Sequence, residues 1–214
     1  MTKKQADKVI EILSSLYQGA KPALNFNSDY ELLVAVMLSA QCTDERVNKV
    51  TSVLFKDYNT PQKMVTLSKE ELAKIILPCG LYNSKAKNIL SASNDIINKF
   101  NGQVPNDFND LISLDGVGRK TADVVLSVAF NQDAIAVDTH VFRVSNRIGL
   151  ANANTPYKVE MALMKVIKKE LWSNAHHYLI YHGRRVCKAQ RPDCQNCALN
   201  ELCKYYKTSR KNQK

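Results

Sequence analysis

"LDGVGRKTADVVLSVAF", residues 114–130, decides how the rest of the chain is read. Gly116 and Gly118 frame a turn, Arg119 and Lys120 follow at once, and Ala122, Val125, Leu126 and Ala129 recur at helical spacing. That spacing predicts a helix beginning near Arg119 with one buried face. The preceding "FNDLISL" predicts a short helix, so Asp115–Gly118 is a tight turn between two helices. Glycine permits positive φ and a close backbone approach. The N–H groups at a helix start point outward and carry partial positive charge. Together these make a seat for a phosphate. Taken alone, the pattern reads first as an ordinary helix corner with two glycines for sterics.

The chain has 214 residues, 45% of them hydrophobic, enough for one large domain or two small ones with a real core. The longest clear apolar run, Leu32 to Leu38, falls far short of the ~20 residues that span a bilayer. The opening "MTKKQADKVI" has no signal-peptide core. A soluble, intracellular protein with no membrane partner is expected. Net charge is +10, and Tyr181–Lys214 holds nine Lys or Arg against two acids, Asp193 and Glu201. Clustered positive charge favours a polyanion, most often nucleic acid. Lys207 to Lys214 alone would be a frayed basic tail. Arg184 to Arg191 sits among cysteines and is harder to dismiss.

Helix signals dominate. Val9, Ile12, Leu13 and Leu16 form one stripe, and Val47, Val50 and Leu54 another. Ser28 with Glu31 and Ser68 with Glu71 read as capping boxes. Thr60–Pro61 and Thr155–Pro156 open helices, the latter running to about Lys169. Pro78 with Gly80 stops one helix, and Asn101–Gly102 another that carries Ile89, Ile96, Ile97 and Phe100. Ser173 is placed to cap "NAHHYLIYHGRR". Asp133–Val137 is the best strand candidate, with a short connector as an equal alternative. The predicted class is all-α, closing on a cysteine-rich loop.

Lys120 and Asp138 are the candidate chemistry. A lysine amine attacks carbon only when neutral. The positive helix end and Arg119 disfavour its charge, and burial would add to this; a phosphate-contacting lysine would suit the same place. Asp138, in "VDTHVFR", reads most simply as an N-cap for the stripe Val141, Val144 and Ile148. A carboxylate beside Lys120 would oppose the helix effect, so its value would lie in stabilising a developing cation or relaying protons. Cys187, Cys194, Cys197 and Cys203 have the spacing C-x6-C-x2-C-x5-C, and an intracellular chain suggests metal before disulfides. Zinc and a [4Fe–4S] cluster fit the thiolates about equally. Cys42 and Cys79 read as buried structural thiols.

"LDGVGRKTA" resembles the helix-hairpin-helix element of the DNA glycosylase superfamily, and "VDTHVFR" resembles the second signature of the endonuclease III family. "LLVAVMLSAQCTDERVNKVT", "GLYNSKAKNI" and the four-cysteine loop are similar to that family's segments in the same order. The resemblance implies two helical lobes with a DNA cleft between them: residues 22–132 with the hairpin, and residues 1–21 with 133–214 and a [4Fe–4S] loop. It implies a monomeric, cytoplasmic, nucleoid-associated glycosylase and abasic-site lyase of base excision repair. Its partner would be duplex DNA with oxidised pyrimidines or abasic sites. Lys120 would form a Schiff base at the sugar C1′, with β-elimination to follow and Asp138 assisting. Cys187, Cys194, Cys197 and Cys203 would hold the cluster. Gln41 and Leu81 match the family's wedge positions, Gly116, Gly118 and Arg119 lie at the hairpin, and Lys188 and Arg191 lie in the basic loop; all would face DNA. The family usually has proline where Asp115 stands, which puts a charge near the phosphate seat unless Asp115 caps the hairpin helix. The rivals are an adenine-mismatch glycosylase and a non-catalytic DNA-binding module. The adenine glycosylases typically lack a lysine at the Lys120 position and carry an extra C-terminal domain; the module has no need of Lys120 with Asp138.

Overall fold

The computed structural model describes residues 1–20 and 22–211, with only the backbone of Arg210 and Lys211. Lys214 and its neighbours at 212 and 213, part of the expected basic tail, lie outside the described residues. The described residues form twelve α-helices and two short 3-10 turns, with no strand among them. The chain divides into two compact units, Pro22–Asn131, and Met1–Lys21 with Gln132–Lys214.

The continuous unit holds α2 (Asp29–Leu38), α3 (Asp44–Asp57), α4 (Pro61–Met64), α5 (Lys69–Ile76), α6 (Tyr82–Lys99), α7 (Phe108–Ser113) and α8 (Arg119–Val128). The run "LLVAVML" has no polar side, so α2 is buried all round and packs against α3, α6 and α8. The helix α6 is the hub: α4 and α5 pack on it, and Ile89 and Ile96 are buried. The Ser68–Glu71 capping box forms in full. At Ser28 only half of the expected box exists. Ser28 accepts from the Glu31 N–H, but the Glu31 carboxylate turns to the backbone and side-chain N–H groups of Asn27.

The discontinuous unit joins α1 (Lys3–Leu16) to α9 (Thr139–Ile148), α10 (Pro156–Val166), α11 (Trp172–Arg185) and α12 (Lys204–Lys211). Its core gathers Val9, Leu13, Val141, Val144, Val159, Leu163, Ala175 and Leu179. The buried stripe of α1 is Ala6, Val9, Ile10 and Leu13, with Leu16 half-exposed, so the expected stripe through Ile12 and Leu16 is rotated towards Ala6 and Ile10. A Thr2–Gln5 capping box, absent from the sequence reading, fixes its start. Ser173 does not cap α11: the helix begins at Trp172, and its N-cap is Leu171, two residues before Ser173, without a side-chain cap. Asp133–Val137 is the connector alternative, and Ile135, Ala136 and Val137 bury themselves in it. No described helix is long and apolar enough to cross a membrane.

Candidate active site and cysteine pocket

The hairpin is α7, a turn and α8. Asp107 caps α7 by accepting from the N–H groups of Asn109 and Asp110, at 2.7 and 3.1 Å. The turn closes with Val117 N–H donating to the Leu114 carbonyl at 3.1 Å, while Leu114 and Val117 bury their side chains. Gly116 has φ +79°, and an added Cβ would stand 2.8 Å from the Asn88 side chain. Gly118 has ordinary φ and open space around it, and it begins α8 without a side-chain cap. The two glycines therefore do different work: Gly116 is demanded by fold, Gly118 keeps the helix mouth bare. Asp115 does not cap α8. Its carboxylate accepts from the Ser91 hydroxyl on α6 at 2.7 Å, which ties the turn down where the family's usual proline would stiffen it. Arg119 lies over the Phe108 ring at 4.5 Å, and Lys120, the next residue of α8, is exposed.

Gln41 and Leu81 are both exposed and both left-handed, with φ of 55° and 49°. Arg191 shares that conformation at 48°. The other non-glycine residues with positive φ are Asn101 and Asn131, a residue type that tolerates it. For Gln, Leu and Arg it is strain of about 1–3 kcal/mol each, of the kind that clusters at functional sites. Sequence reasoning missed what holds two of these three. Lys85, buried on α6, donates at 2.8 Å to each of the carbonyls of Leu38, Ala40 and Cys79. Burial lowers its pKa, against the pull of Cys79 and Cys42. Cys79 is buried as expected and burial raises its thiol to about 11, whereas Cys42 is only half-buried.

In the other unit, Asp138 caps α9, its Oδ1 accepting from the Val141 N–H at 2.7 Å. Two turns of α9 then reach the cysteine loop. Arg143 donates to the Cys187 and Gly183 carbonyls, and Arg147 to those of Lys188 and Ala189. This i, i+4 arginine pair after Asp138 was visible in the sequence as a spacing, and its role was not. It fixes the start of the basic loop, in which Lys188 and Arg191 are exposed.

Cys187, Cys194, Cys197 and Cys203 line one pocket with Arg147, His182, Leu199 and Tyr205, about 340 Å³ of empty space including its open mouth. Burial pushes the Cys194, Cys197 and Cys203 thiols up, and neighbouring thiols add to it. Donors already point at the sulfurs: Leu199 N–H to Cys197 at 3.4 Å and Arg147 to Cys187 at 3.7 Å. His182 contacts Cys197 Sγ through Nε2 at 3.5 Å and shares a 3.0 Å hydrogen bond with the Tyr17 hydroxyl through Nδ1. Among the described residues, no three His, Cys, Asp or Glu side chains form a ligand set for a single metal ion.

Residues 34–169, which contain the hairpin and Asp138, match the HhH-GPD superfamily of base excision DNA repair proteins. The endonuclease III of Rickettsia conorii is 50% identical over 94% of this chain and 95% of its own. Two solved structures superpose with a TM-score of 0.94. One is a trapped covalent endonuclease III–DNA intermediate, 47% identical over 98% of this chain and 99% of that one. The other is a non-covalent endonuclease III–DNA complex, 46% identical over 99% of both. The chain belongs to the endonuclease III family of that superfamily and is an enzyme of base excision repair.

Proposed function

We propose that this enzyme removes oxidised pyrimidines from duplex DNA as a glycosylase and abasic-site lyase, with Lys120 as its nucleophile. The likeness over almost the whole chain to an endonuclease III trapped covalently on DNA carries this reading. Lys120 Nζ attacks the sugar C1′ while the C1′–N bond breaks and the base departs with a proton. Loss of a proton from the nitrogen and ring opening give a Schiff base. Removal of a C2′ proton then expels the 3′ phosphate, and water finally releases the lysine. Lys120 is exposed in the protein alone, so exclusion of water around the amine falls to bound DNA. Asp138 stabilises the cation that develops on the sugar. Gly118 and the open mouth of α8 receive a backbone phosphate, Arg119, Lys188 and Arg191 add charge, and Gln41 and Leu81 fill the gap left by the extruded nucleotide.

Cys187, Cys194, Cys197 and Cys203 fit a [4Fe–4S] cluster. All four thiols line one pocket, their mutual repulsion as thiolates calls for a cationic centre, and it is the resemblance of the C-x6-C-x2-C-x5-C spacing to the endonuclease III cluster loop that favours the cluster over zinc. When bound, the cluster supplies four bonds that pin the basic loop at both ends. As a DNA repair enzyme the protein would work in the cytoplasm at the nucleoid.

Duplex DNA with an oxidised thymine, treated with borohydride during turnover, should give a covalent protein–DNA species. Lys120→Gln should abolish it while keeping affinity for abasic DNA, and Asp138→Asn should slow base release by roughly 100-fold or more. Trapping that persists in Lys120→Gln would transfer the role to another amine. Binding without release or trapping would mark a non-catalytic module.

A further inference from the structure

Lys85 is a buried cation with no carboxylate among its hydrogen-bond acceptors. Its ammonium has three protons, and three backbone carbonyls take them, each at 2.8 Å. The acceptors come from two separate stretches. Leu38 ends α2 and Ala40 follows it; Cys79 ends the 3-10 turn after α5. These are helix C-termini, where unpaired carbonyls carry partial negative charge and favour a cation. Immediately beyond the acceptors stand the two strained residues: Gln41 follows Ala40, and Leu81 comes two after Cys79. Left-handed Gln and Leu persist only where their surroundings over-determine them. Backbone bonds close each stretch by itself, Cys42 N–H to the Ser39 carbonyl and Gly80 N–H to that of Leu77; the three bonds that tie the two stretches to each other converge on one nitrogen.

We infer that Lys85 is a positioning residue for nucleotide extrusion: its ammonium binds the Gln41 and Leu81 loops into one rigid jaw. This rests on the proposed entry of those two side chains into the duplex. The acceptors are backbone atoms, so the jaw's shape is independent of the side chains it presents. The same helix, α6, also sets Asn88 under Gly116 and Ser91 against Asp115, giving jaw and phosphate seat a common base.

Lys85→Met keeps the length and apolar stem while removing the three bonds. Release of an oxidised pyrimidine from duplex DNA should fall roughly 10–100-fold, as expected for a mispositioned group. Borohydride trapping on a single-stranded abasic oligonucleotide, which requires no extrusion, should stay within about threefold, because losses from misplacement fall only on steps that use the displaced groups. A lysine that serves the fold alone would lower both together. In a background lacking the wedge side chains (Gln41→Ala with Leu81→Ala), Lys85→Met should cost little more, since coupled residues are not additive. Full additivity there overturns the inference. If instead Gln41→Ala with Leu81→Ala leaves the duplex-to-single-strand ratio untouched, the wedge reading itself fails. Should Lys85→Met not fold, the wild-type chain still decides the clamp: the Lys85 ammonium should give a resolved, slowly exchanging nitrogen–proton NMR signal, and a rapidly exchanging one would overturn it.

Discussion

The hairpin and the cysteine loop are both short connections that face outward, and they are built on opposite plans. The hairpin is finished by its own chain. Asp107 caps it, Val117 closes it, Gly116 fits against Asn88 and Asp115 is tied to Ser91. The loop from Cys187 to Cys203 contains turns and bends only, anchored at its start by Arg143 and Arg147, and it surrounds a pocket of thiols that burial pushes up. A seat made of backbone N–H groups is complete when the backbone is. A ring of thiols is complete only when a cation shares their charge. One device recognises by preorganisation, and the other borrows its rigidity.

The sharpest way to break this contrast is to remove a thiol. Cys197→Ala should lose the iron and sulfide of the purified protein, about four of each per chain, and lower the stability of the discontinuous unit by several kcal/mol. Gly116→Val, which disturbs the hairpin, should leave the iron content unchanged. A colourless wild-type protein with one zinc would end the contrast in its present form. Acid should also find the discontinuous unit first, since all four histidines lie in it. Burial, with His176 beside it, lowers His177 to about 4 from 6.5. The unfolded chain therefore takes up the proton first, so stability present above pH 6.5 is lost as pH falls towards 4. The loss approaches about 3 kcal/mol. Urea midpoints between about pH 7 and 4 should show it, and His177→Gln should flatten the slope; an unchanged slope would assign the acid sensitivity elsewhere.

Within the hairpin, Gly116→Ala should cost about 2 kcal/mol, from positive φ and the clash with Asn88. Gly118→Ala should scarcely change the melting temperature but weaken binding to abasic DNA, because the new methyl stands at the mouth of α8. Equal losses of stability in the two variants would contradict the division of labour between them. The smallest expected effect is at Asp115. Asp115→Ala removes the bond to Ser91 and should cost about 0.5–1 kcal/mol, while tightening DNA binding by removing a negative charge from the phosphate seat.

What the sequence disclosed was local. The stripe Val141, Val144, Ile148 and the caps at Ser68, Thr60, Thr155 and Asp138 depend on residues within a few positions of one another, and they form as read. Misreadings arose where a side chain had a second option nearby. Glu31 preferred Asn27 to its own cap, and the α1 stripe followed the core rather than the longest aliphatic residues. Of the candidate site, the hairpin, Asp138 and the clustering of the four cysteines were legible from motif and spacing. The supports were not. Lys85 reaches carbonyls 47 and 45 residues away, Ser91 meets Asp115 across 24, and Arg147 meets Lys188 across 41. Backbone carbonyls have no letter in the sequence, so nothing in a helical lysine or arginine announces which of them it will find.

The split of one unit around the other has a consequence in time. The continuous unit is complete once Asn131 has been made, but α1 must wait for α10 and α11, the helices it packs against, before Val9 and Leu13 can be covered. About 140 residues separate the end of α1 from the start of α10, the first helix it packs against, which at about 5–20 residues per second is roughly 7–28 seconds of synthesis. Throughout that interval the nascent chain carries an amphipathic helix with no partner. The Thr2–Gln5 capping box and the Lys8–Glu11 pair are then more than ornaments of a finished helix. They are the local interactions available to hold it while its core is still being translated.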